Sequence, residues 1–355
     1  MLNTTLKITK GIRNSIFVLI LFIPSVFAKE ITNLTWKKSS YVGKKLSNFR
    51  ETVTSPALGK EAWKITLLPK DCGRDNEGDY SDCKNNGRDA VVGHGGGDRA
   101  RSEYSSDQRY TGEKWISVSI YLPNDFKSVE PVSTSLFQIY EWGSKDEQRH
   151  PRMMLRVENG VLDPRYYPVN GRDVSGNIIK YLFIDDMKDK WTTIVFHTKM
   201  GKAPGEGFSK MYVNGVLYNE YNGRTGYGGQ FFNKFGIYHS WITRWKDEIH
   251  GEYPTQVVYY DTLFRTNSKE KLLKLLKING LNLDLKNIEQ DKQVSYSCGD
   301  SNNPTWYCAI AARKSDLSVQ FFVEDPNERT ARIKATSECF KEHNDCTIIY
   351  SGKNN

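Results

Sequence analysis

The chain has 355 residues, 26% of them charged, and a formal net charge of +8 at pH 7. A moderate positive surplus favours an acidic polymer as partner. The sequence carries no helix-turn-helix, zinc-finger or RNA-binding signature, which excludes the common classes of nucleic-acid-binding protein. No stretch after residue 28 is apolar enough to span a bilayer, so we expect no stable membrane anchor. We expect a monomer with one large domain and a small appendage.

Residues 1–28 have the three parts of a secretory signal peptide. Three basic residues precede an apolar run at residues 16–23, and residues 26–28 provide the cleavage positions. The run is shorter than the ~20 residues that span a bilayer. The alternative is that the segment stays uncleaved and anchors the protein in the membrane. Lys29, rather than a cysteine, follows the expected cut, which disfavours a lipoprotein. We therefore expect a secreted or periplasmic protein.

Short strands separated by turns dominate the region from residue 62 to about residue 264. The turns are rich in Gly, Pro, Asn and Asp, and Asn214-Gly215 is typical of a two-residue β-hairpin. We predict strands at residues 62–68, 115–122, 135–140, 152–157, 191–197, 210–213, 216–218 and 256–260. Regular short strands with almost no helix predict an all-β sandwich. The Gly-rich residues 71–98 predict a long functional loop.

The character of the sequence changes after residue 264. Residues 268–277 have the pattern of a short amphipathic helix with Ser268 as its N-terminal cap. A polar linker to about residue 292 leads to a small C-terminal segment that contains four of the six cysteines. We therefore divide the chain into a signal peptide (1–28), a main domain (29–266), a helix and linker (267–292) and a small domain (293–355).

Six cysteines in an exported chain predict disulfide bonds. They fall into three pairs that are close in sequence, and no Cys-x-x-Cys spacing indicates a zinc site. Sequence alone does not prove the connectivity, because six cysteines allow 15 pairings. The expected pairs are Cys72–Cys83, Cys298–Cys308 and Cys339–Cys346.

Polar side chains that could carry chemistry recur on three predicted strands. Alternation along a strand places every second residue on the same face. The residues that share a face within each segment are Arg99, Arg101 and Glu103, then Gln138 and Tyr140, then Lys234, Gly236 and Tyr238. Each segment alone is weak evidence for an active site. A charged strand face is usually solvated surface, and a tyrosine on a strand is usually half-buried against its neighbours.

Together and in this order, the segments resemble the jelly-roll polysaccharide lyases. Those that act on alginate carry Arg-Ser/Thr-Glu, then Gln-Ile-His or Gln-Val-His, then Tyr-Phe-Lys-Ala-Gly-x-Tyr. Glucuronan lyases and the heparin lyase I group are more similar still, over roughly residues 63–265, including the hairpin at 211–215 and the strand at 258–261. The resemblance implies a concanavalin A-like jelly-roll β-sandwich. To this the cysteine-rich C-terminal segment adds a small disulfide-stabilised α+β domain, whose role stays open.

The resemblance also implies roles for individual residues. Gln138 and Arg101 would neutralise the substrate carboxylate, and Tyr238 would be the catalytic acid, or both acid and base. Lys234 would bind substrate or lower the pKa of Tyr238.

The chain departs from the alginate-lyase pattern at one position. Tyr140 stands where those enzymes have a histidine two residues after the glutamine. Either a histidine comes from elsewhere or one tyrosine makes both proton transfers. His94 lies within the Gly-rich residues 93–97. The resemblance to glucuronan-lyase-like enzymes implies that the catalytic histidine is at this position. The alternative is an exposed loop histidine.

Further residues are expected to bind the substrate or a metal ion. Tyr140, Arg99 and Lys234 are expected to bind substrate, and Trp241 either stacks on a sugar ring or caps the sandwich. Asp261 resembles a late-strand aspartate that lies near a structural calcium ion in related folds. One carboxylate is poor evidence for a site that needs 6–8 oxygens, so a structural calcium ion stays open. The chemistry itself requires no cofactor.

The resemblance implies an endolytic lyase that cleaves an anionic, uronic-acid-containing polysaccharide by β-elimination. Glucuronan is the first expected substrate, and heparin-like glycosaminoglycans and alginate follow. The alternative is a lectin-like carbohydrate-binding protein, because a fold does not fix a function. A lectin would use aromatic and neutral polar groups, so a Gln, Arg, Lys and Tyr cluster on one face favours the enzyme.

Overall fold

The computed structural model describes the greater part of a two-unit chain. The described residues are 36–38, 50–68, 99–130, 132–143, 151–158, 160–167, 174, 176–178, 180, 182–203, 205–240, 242, 244–245, 254–286, 307–313, 320–326, 331–332, 334–335, 338–339, 342 and 346–353. The chain divides into two compact units, residues 1–287 and 288–355. Within these described ranges, no helix is long and apolar enough to cross a membrane.

The first unit is built from fourteen strands and one α-helix in its described part. In chain order they are β1 (Trp36–Lys38), β2 (Arg50–Val53), β3 (Ala62–Leu67), β4 (Arg99–Ser106), β5 (Glu113–Tyr121), β6 (Ser133–Trp142), β7 (Pro151–Glu158), β8 (Val161–Tyr166), β9 (Asn177–Ile178), β10 (Trp191–Lys199), β11 (Gly207–Val213), β12 (Val216–Gly223), β13 (Gln230–Ser240), β14 (Gln256–Thr266) and α1 (Lys269–Ile278). The segments predicted as strands coincide with strands of the structure.

These strands form a six-stranded sheet in the order β1-β4-β13-β6-β7-β8 and an eight-stranded sheet in the order β2-β3-β14-β5-β10-β11-β12-β9. The pairings within both sheets are antiparallel. From β3 to β6 and from β12 to β14, the chain passes from one sheet to the other at every connection. The predicted jelly-roll β-sandwich is therefore confirmed.

The core lies between the two sheets and takes mainly alternate side chains from the strands of both sheets. Val118 and Ile120 of the eight-stranded sheet are fully buried with Phe137 and Phe235 of the six-stranded sheet. Phe137 also stacks on Phe196 of β10, with the ring centroids 5.7 Å apart. Because alternate residues point inward, the intervening residues of the six-stranded sheet form an outward face, which carries the candidate site.

Two local predictions, the hairpin turn and the helix cap, are confirmed by the structure. Asn214 and Gly215 have φ values of 49° and 91°, and two positive values are what a type I′ β-hairpin turn requires. The Ser268 side chain accepts a hydrogen bond from the Lys271 N–H and so caps α1. Because its apolar side turns inward, α1 packs on the sandwich, with Leu272 fully buried.

The second unit contains a three-stranded antiparallel sheet in its described part. Its strands are β15 (Tyr307–Arg313), β16 (Gln320–Asp325) and β17 (Cys346–Lys353), in the order β16-β15-β17. The predicted Cys339–Cys346 disulfide is confirmed, and Cys308 is also disulfide-bonded.

Other sequence-based assignments fall on residues outside the described ranges. The signal peptide, the loop at residues 71–98 and three cysteines, Cys72, Cys83 and Cys298, belong to this group. The Cys72–Cys83 and Cys298–Cys308 pairings and the domain limits at residues 266 and 292 stay predictions.

Candidate active site on the six-stranded sheet

The three segments that the sequence singled out lie on adjacent strands, since β4, β13 and β6 are neighbours in the six-stranded sheet. Ala100 and Tyr104 of β4 and Phe235 and Ile237 of β13 point into the core. The residues between them therefore point outward, as the alternation predicts. The sequence-predicted residues on this outward face are Arg101, Glu103, Gln138, Tyr140, Lys234 and Tyr238.

Strand register brings these side chains into one group. Arg101 of β4 is the cross-strand partner of Tyr238 on β13, and Gln138 of β6 is the partner of Lys234. Neighbouring strands lie ~4.8 Å apart, so directly paired side chains on one face contact each other. The guanidinium carbon of Arg101 lies 5.1 Å from the Tyr238 ring centroid. This geometry places positive charge beside the phenol.

Glu103 is the centre of the group. Its side chain is 2% exposed, and its Oε1 accepts a hydrogen bond from the Gln138 amide nitrogen. Its Oε2 lies 3.9 Å from Arg101 Nη1 and 3.9 Å from Lys234 Nζ. A carboxylate accepts only, so it fixes which end of the Gln138 amide faces it. Sequence reasoning placed Glu103 on the correct face but gave it no role.

The backbone beneath Glu103 is adapted to a close approach of β4 and β13. Gly236, the cross-strand partner of Glu103, has a φ of +130°. A Cβ at this position would lie 2.1 Å from the Ser102 carbonyl oxygen and 2.8 Å from Glu103 Cα. Only glycine fits here, because it tolerates this φ and has no side chain to meet β4.

Tyr260 of β14 contacts the backbone at Gly236 from within the core. Its hydroxyl lies 2.8 Å from the Gly236 carbonyl oxygen and 3.0 Å from that of Leu136. The register of β13 against β6 shifts between Phe235 and Tyr238, beside this contact. Burial raises the pKa of Tyr260 well above its ordinary value, so the hydroxyl stays protonated and donates. No sequence signal separated Tyr260 from an ordinary core tyrosine.

Tyr140 lies on the same face, where Lys234 Nζ is 5.0 Å from its ring centroid. The other three expected site residues are not placed by the structure. His94 and Trp241 fall outside the described residues, and Arg99 is described only through its backbone, opposite Ser240. Their roles stay predictions.

His239 points away from the site, as alternation from Tyr238 predicts. It is fully buried, and its Nε2 lies 2.6 Å from the Gln256 amide oxygen. Burial lowers the pKa of His239 to about 3, against the opposing effect of the hydrogen bond with Gln256. His239 is therefore a neutral core residue at neutral pH.

The Asp261 carboxylate accepts hydrogen bonds from backbone N–H groups. Its Oδ2 accepts hydrogen bonds from the backbone N–H groups of Leu58 at 3.0 Å and Gly59 at 3.4 Å. Its Oδ1 accepts from the Thr262 N–H at 2.6 Å. Over the part of the chain that the structure describes, no group of three or more His, Cys, Asp or Glu residues could hold a metal ion. A calcium role for Asp261 stays a prediction.

Comparison with known proteins places the sandwich in a family. A family model described as polysaccharide lyase matches residues 32–263. Among curated protein sequences, none matches the chain.

Several solved structures are similar to this one. One is the endo-β-1,4-glucuronan lyase from the fungus Trichoderma reesei (18% identity, 66% of this chain and 95% of that chain, TM-score 0.44). Another is the alginate lyase AlgAT5 of polysaccharide lyase family 7 (15% identity, 66% and 94%, TM-score 0.42). The catalytic domain of the glycoside hydrolase family 131 protein from Coprinopsis cinerea is a third (11% identity, 66% and 84%, TM-score 0.43). These structural likenesses carry no argument about substrate. The family match covers more than half of the 355 residues, and the chain therefore belongs to the polysaccharide lyase family.

Proposed function

We propose that this polysaccharide lyase cleaves a uronic-acid polymer by β-elimination on the outward face of the six-stranded sheet. The observation that carries the proposal is the grouping of Arg101, Gln138 and Lys234 around the buried carboxylate of Glu103. Tyr238 stands beside this group, next to Arg101.

The reaction sets three tasks. A base removes the proton from the carbon next to the sugar carboxylate, and the electron pair forms a carbon–carbon double bond as the glycosidic C–O bond breaks. An acid gives a proton to the departing oxygen. Negative charge grows on the sugar carboxylate during proton removal, so fixed donors beside that carboxylate lower the barrier.

The site residues match these tasks. Arg101 supplies a guanidinium, whose planar fork suits a carboxylate. The Gln138 amide nitrogen has a second N–H besides the one directed at Glu103, and this N–H would also donate to the sugar carboxylate. Tyr238 would protonate the leaving oxygen. Lys234 adds a second positive charge, so two cations and one carboxylate leave the group positive.

Two candidates exist for the base. In the first, His94 takes the proton and Tyr238 acts only as the acid. In the second, Tyr238 makes both transfers, starting as a phenolate that the adjacent Arg101 stabilises. Tyr140, at the position of the alginate-lyase histidine, excludes that histidine as the base here.

The positive group favours a polymer that carries carboxylates. Glucuronan is our first choice, because the alginate-type histidine is replaced by Tyr140. Alginate and glycosaminoglycans come next, and sulfated chains would need more Lys and Arg than these strands carry. The lectin alternative is less favoured, because binding alone does not require a tyrosine held beside the Arg101 guanidinium.

A panel of polymers tests the proposal. Glucuronan, alginate, heparin and hyaluronan are incubated with the full chain, with neutral glucans as controls, and ultraviolet absorbance reports the unsaturated product. We expect product from at least one polyuronate and none from a neutral glucan. For endolytic cleavage, viscosity should fall well before absorbance reaches its plateau. Binding of a neutral glucan without product from any polyuronate would favour the lectin.

A further inference from the structure

A second charged group lies at the other end of the same sheet face. Leu155 and Val157 of β7 and Leu162 and Tyr166 of β8 point into the core. The residues that alternate with them therefore point outward, on the face that carries Tyr238. We call these residues the β7–β8 cluster: Arg156, Glu158, Asp163 and Arg165.

Strand register aligns the cluster with the proposed active site. Ser135 of β6 is the partner of both Tyr238 on β13 and Arg156 on β7, and Arg156 in turn is the partner of Asp163 on β8. These residues form one line across four strands. Since strands lie ~4.8 Å apart, Arg156 is roughly two strand spacings, or about 10 Å, from the Tyr238 position.

Ion pairs hold the cluster in a fixed arrangement. Arg165 Nη2 lies 3.0 Å from Glu158 Oε2, and Arg165 Nε lies 3.5 Å from Asp163 Oδ1. Arg156 Nη2 is 3.8 Å from Glu158 Oε2, and Arg156 Nη1 donates to the Tyr167 hydroxyl at 3.4 Å. Both guanidinium groups are thereby oriented before any ligand arrives, which lowers the entropy loss on binding.

The burial of the cluster argues for a ligand. The Arg156 and Arg165 side chains are 14% and 12% exposed, and those of Arg101 and Lys234 are each 13% exposed. The cations of the two groups are thus about equally accessible. Burying charges in pairs is seldom stabilising compared with apolar packing, so stability alone does not explain the cluster. In addition, Asp163 Oδ2 is buried and accepts no hydrogen bond, which is rare for a buried acceptor.

We propose that the β7–β8 cluster is a binding site for a further uronate residue of the same polymer. The Arg156 guanidinium binds the carboxylate of that sugar, and Asp163 Oδ2 accepts a hydrogen bond from one of its hydroxyls. A uronate supplies both groups at once, whereas a neutral sugar lacks the carboxylate. The site rests on the proposed function in taking an acidic polymer as the ligand.

Two variants test the site, and both keep the size of the side chain close to the original. Arg156→Gln removes the guanidinium, and the nearly isosteric Asp163→Asn removes the acceptor charge. Lys210→Gln is the matched control, because Lys210 pairs with Glu220 on the outward face of the other sheet. Affinity for glucuronan and for alginate is measured by calorimetry in a Tyr238→Phe background. KM and kcat are measured with Tyr238 intact.

We expect Arg156→Gln to weaken binding and raise KM by about 10- to 100-fold, the range of a lost charge-assisted hydrogen bond, with kcat within about threefold. Asp163→Asn should weaken binding by roughly 3- to 10-fold, and Lys210→Gln should change neither. Because the lost contact is ionic, the difference between Arg156→Gln and its parent should shrink as salt rises.

The outcomes separate this site from the proposed function. Affinity and KM unchanged in both folded variants would overturn the site and leave the proposed function intact. If the protein binds polyuronates but releases no unsaturated product, the proposed function fails, and the affinity of Arg156→Gln still decides the site. If no polyuronate binds, both fail.

Discussion

The outward faces of the two sheets arise from the same alternation but differ in use. On the eight-stranded sheet, Val195, Tyr212 and Leu217 point outward, and the apolar side of α1, with Leu272 and Leu276, covers them. This face contributes buried apolar area, the main source of folding free energy. On the six-stranded sheet, the corresponding positions of β4, β6 and β13 carry polar and charged side chains instead.

The charges on the two faces differ as well. Lys210 and Glu220 form a one-to-one pair at 3.0 Å with side chains 31% and 26% exposed, an arrangement that contributes about 0–1 kcal/mol. Glu103 is 2% exposed and contacts two cations and an amide, and its Oε2 accepts no hydrogen bond. The two faces therefore differ in the burial of their charges and in the number of partners that each charge has. We infer that buried charges with several partners indicate the functional face better than the number of charges does.

The largest expected effect is a difference in turnover between two tyrosine variants, one on the outward face of each sheet. Tyr238→Phe should lower turnover by about 10²–10⁴, the range for a lost general acid, while folding and polymer binding persist. Tyr259→Phe is the matched control, since Tyr259 packs edge-on against Tyr121 on the eight-stranded sheet. Steady-state rates on the best polyuronate decide the matter. Near-normal turnover in folded Tyr238→Phe would remove this residue from the mechanism.

The next effect tests the backbone under the site. Gly236→Ala should lower the free energy of unfolding by about 3 kcal/mol or more, because the new methyl group would meet β4 at a strained φ. Gly112→Ala, at a φ of +68° with no atom within 4 Å of the added methyl, should lose only about 1 kcal/mol. Urea unfolding measures both. Equal losses would mean that the approach of β4 to Gly236 is not tight.

Glu103→Gln asks whether the buried carboxylate positions the catalytic group. We expect kcat/KM to fall by about 10- to 100-fold, the range of a lost hydrogen bond to a charged group. The alkaline limb of the kcat profile should also move to lower pH, because two cations without their carboxylate lower the pKa of the Tyr238 acid. Glu220→Gln serves as the control on the other sheet. A purely structural role would leave the pH profile in place.

The smallest effect concerns the core beneath the site. His239 has a pKa of about 3 in the folded protein, because burial disfavours its charged form, whereas the ordinary pKa of a histidine is 6.5. The unfolded state therefore binds more protons between those values, and stability present at neutral pH is lost as pH falls through this window. Between pH 7 and pH 5 the loss from this residue should be about 2 kcal/mol.

His239→Gln should remove that part of the pH dependence, and His197→Gln on the outward face of the eight-stranded sheet should retain it. Urea unfolding at pH 5 and pH 7 compares the two. The same slope in His239→Gln and the parent protein would contradict the assignment.

The sequence predicts the strand faces well because alternation is local. Arg101 and Glu103 share a strand face, as do Lys234 and Tyr238, because side chains along a strand alternate with a period of two residues. The contacts between these pairs depend on cross-strand register, which shifts at the irregularity between Phe235 and Tyr238. No single strand encodes that shift, so the central position of Glu103 could not be predicted.

The β7–β8 cluster was beyond prediction for a different reason. The β7 segment was predicted as a strand, but β8 contains Pro164, and proline is uncommon in strand interiors. In the structure, β8 is the last strand in the order of its sheet, where proline is tolerated. Without β8, the pairing of Arg156 with Asp163 has no basis in the sequence.

The most direct test of the central claim is the mass of the product released from glucuronan or alginate by the full chain. β-Elimination adds no water, so each new chain end should be an unsaturated sugar, and each fragment that bears it should be lighter by one water molecule than the hydrolysis product. Fragments of that mass, released at least about 100-fold more slowly by Tyr238→Phe, are the result we predict. Fragments that have gained a water molecule, or undiminished unsaturated product from Tyr238→Phe, would contradict the assignment of this face as the site of elimination.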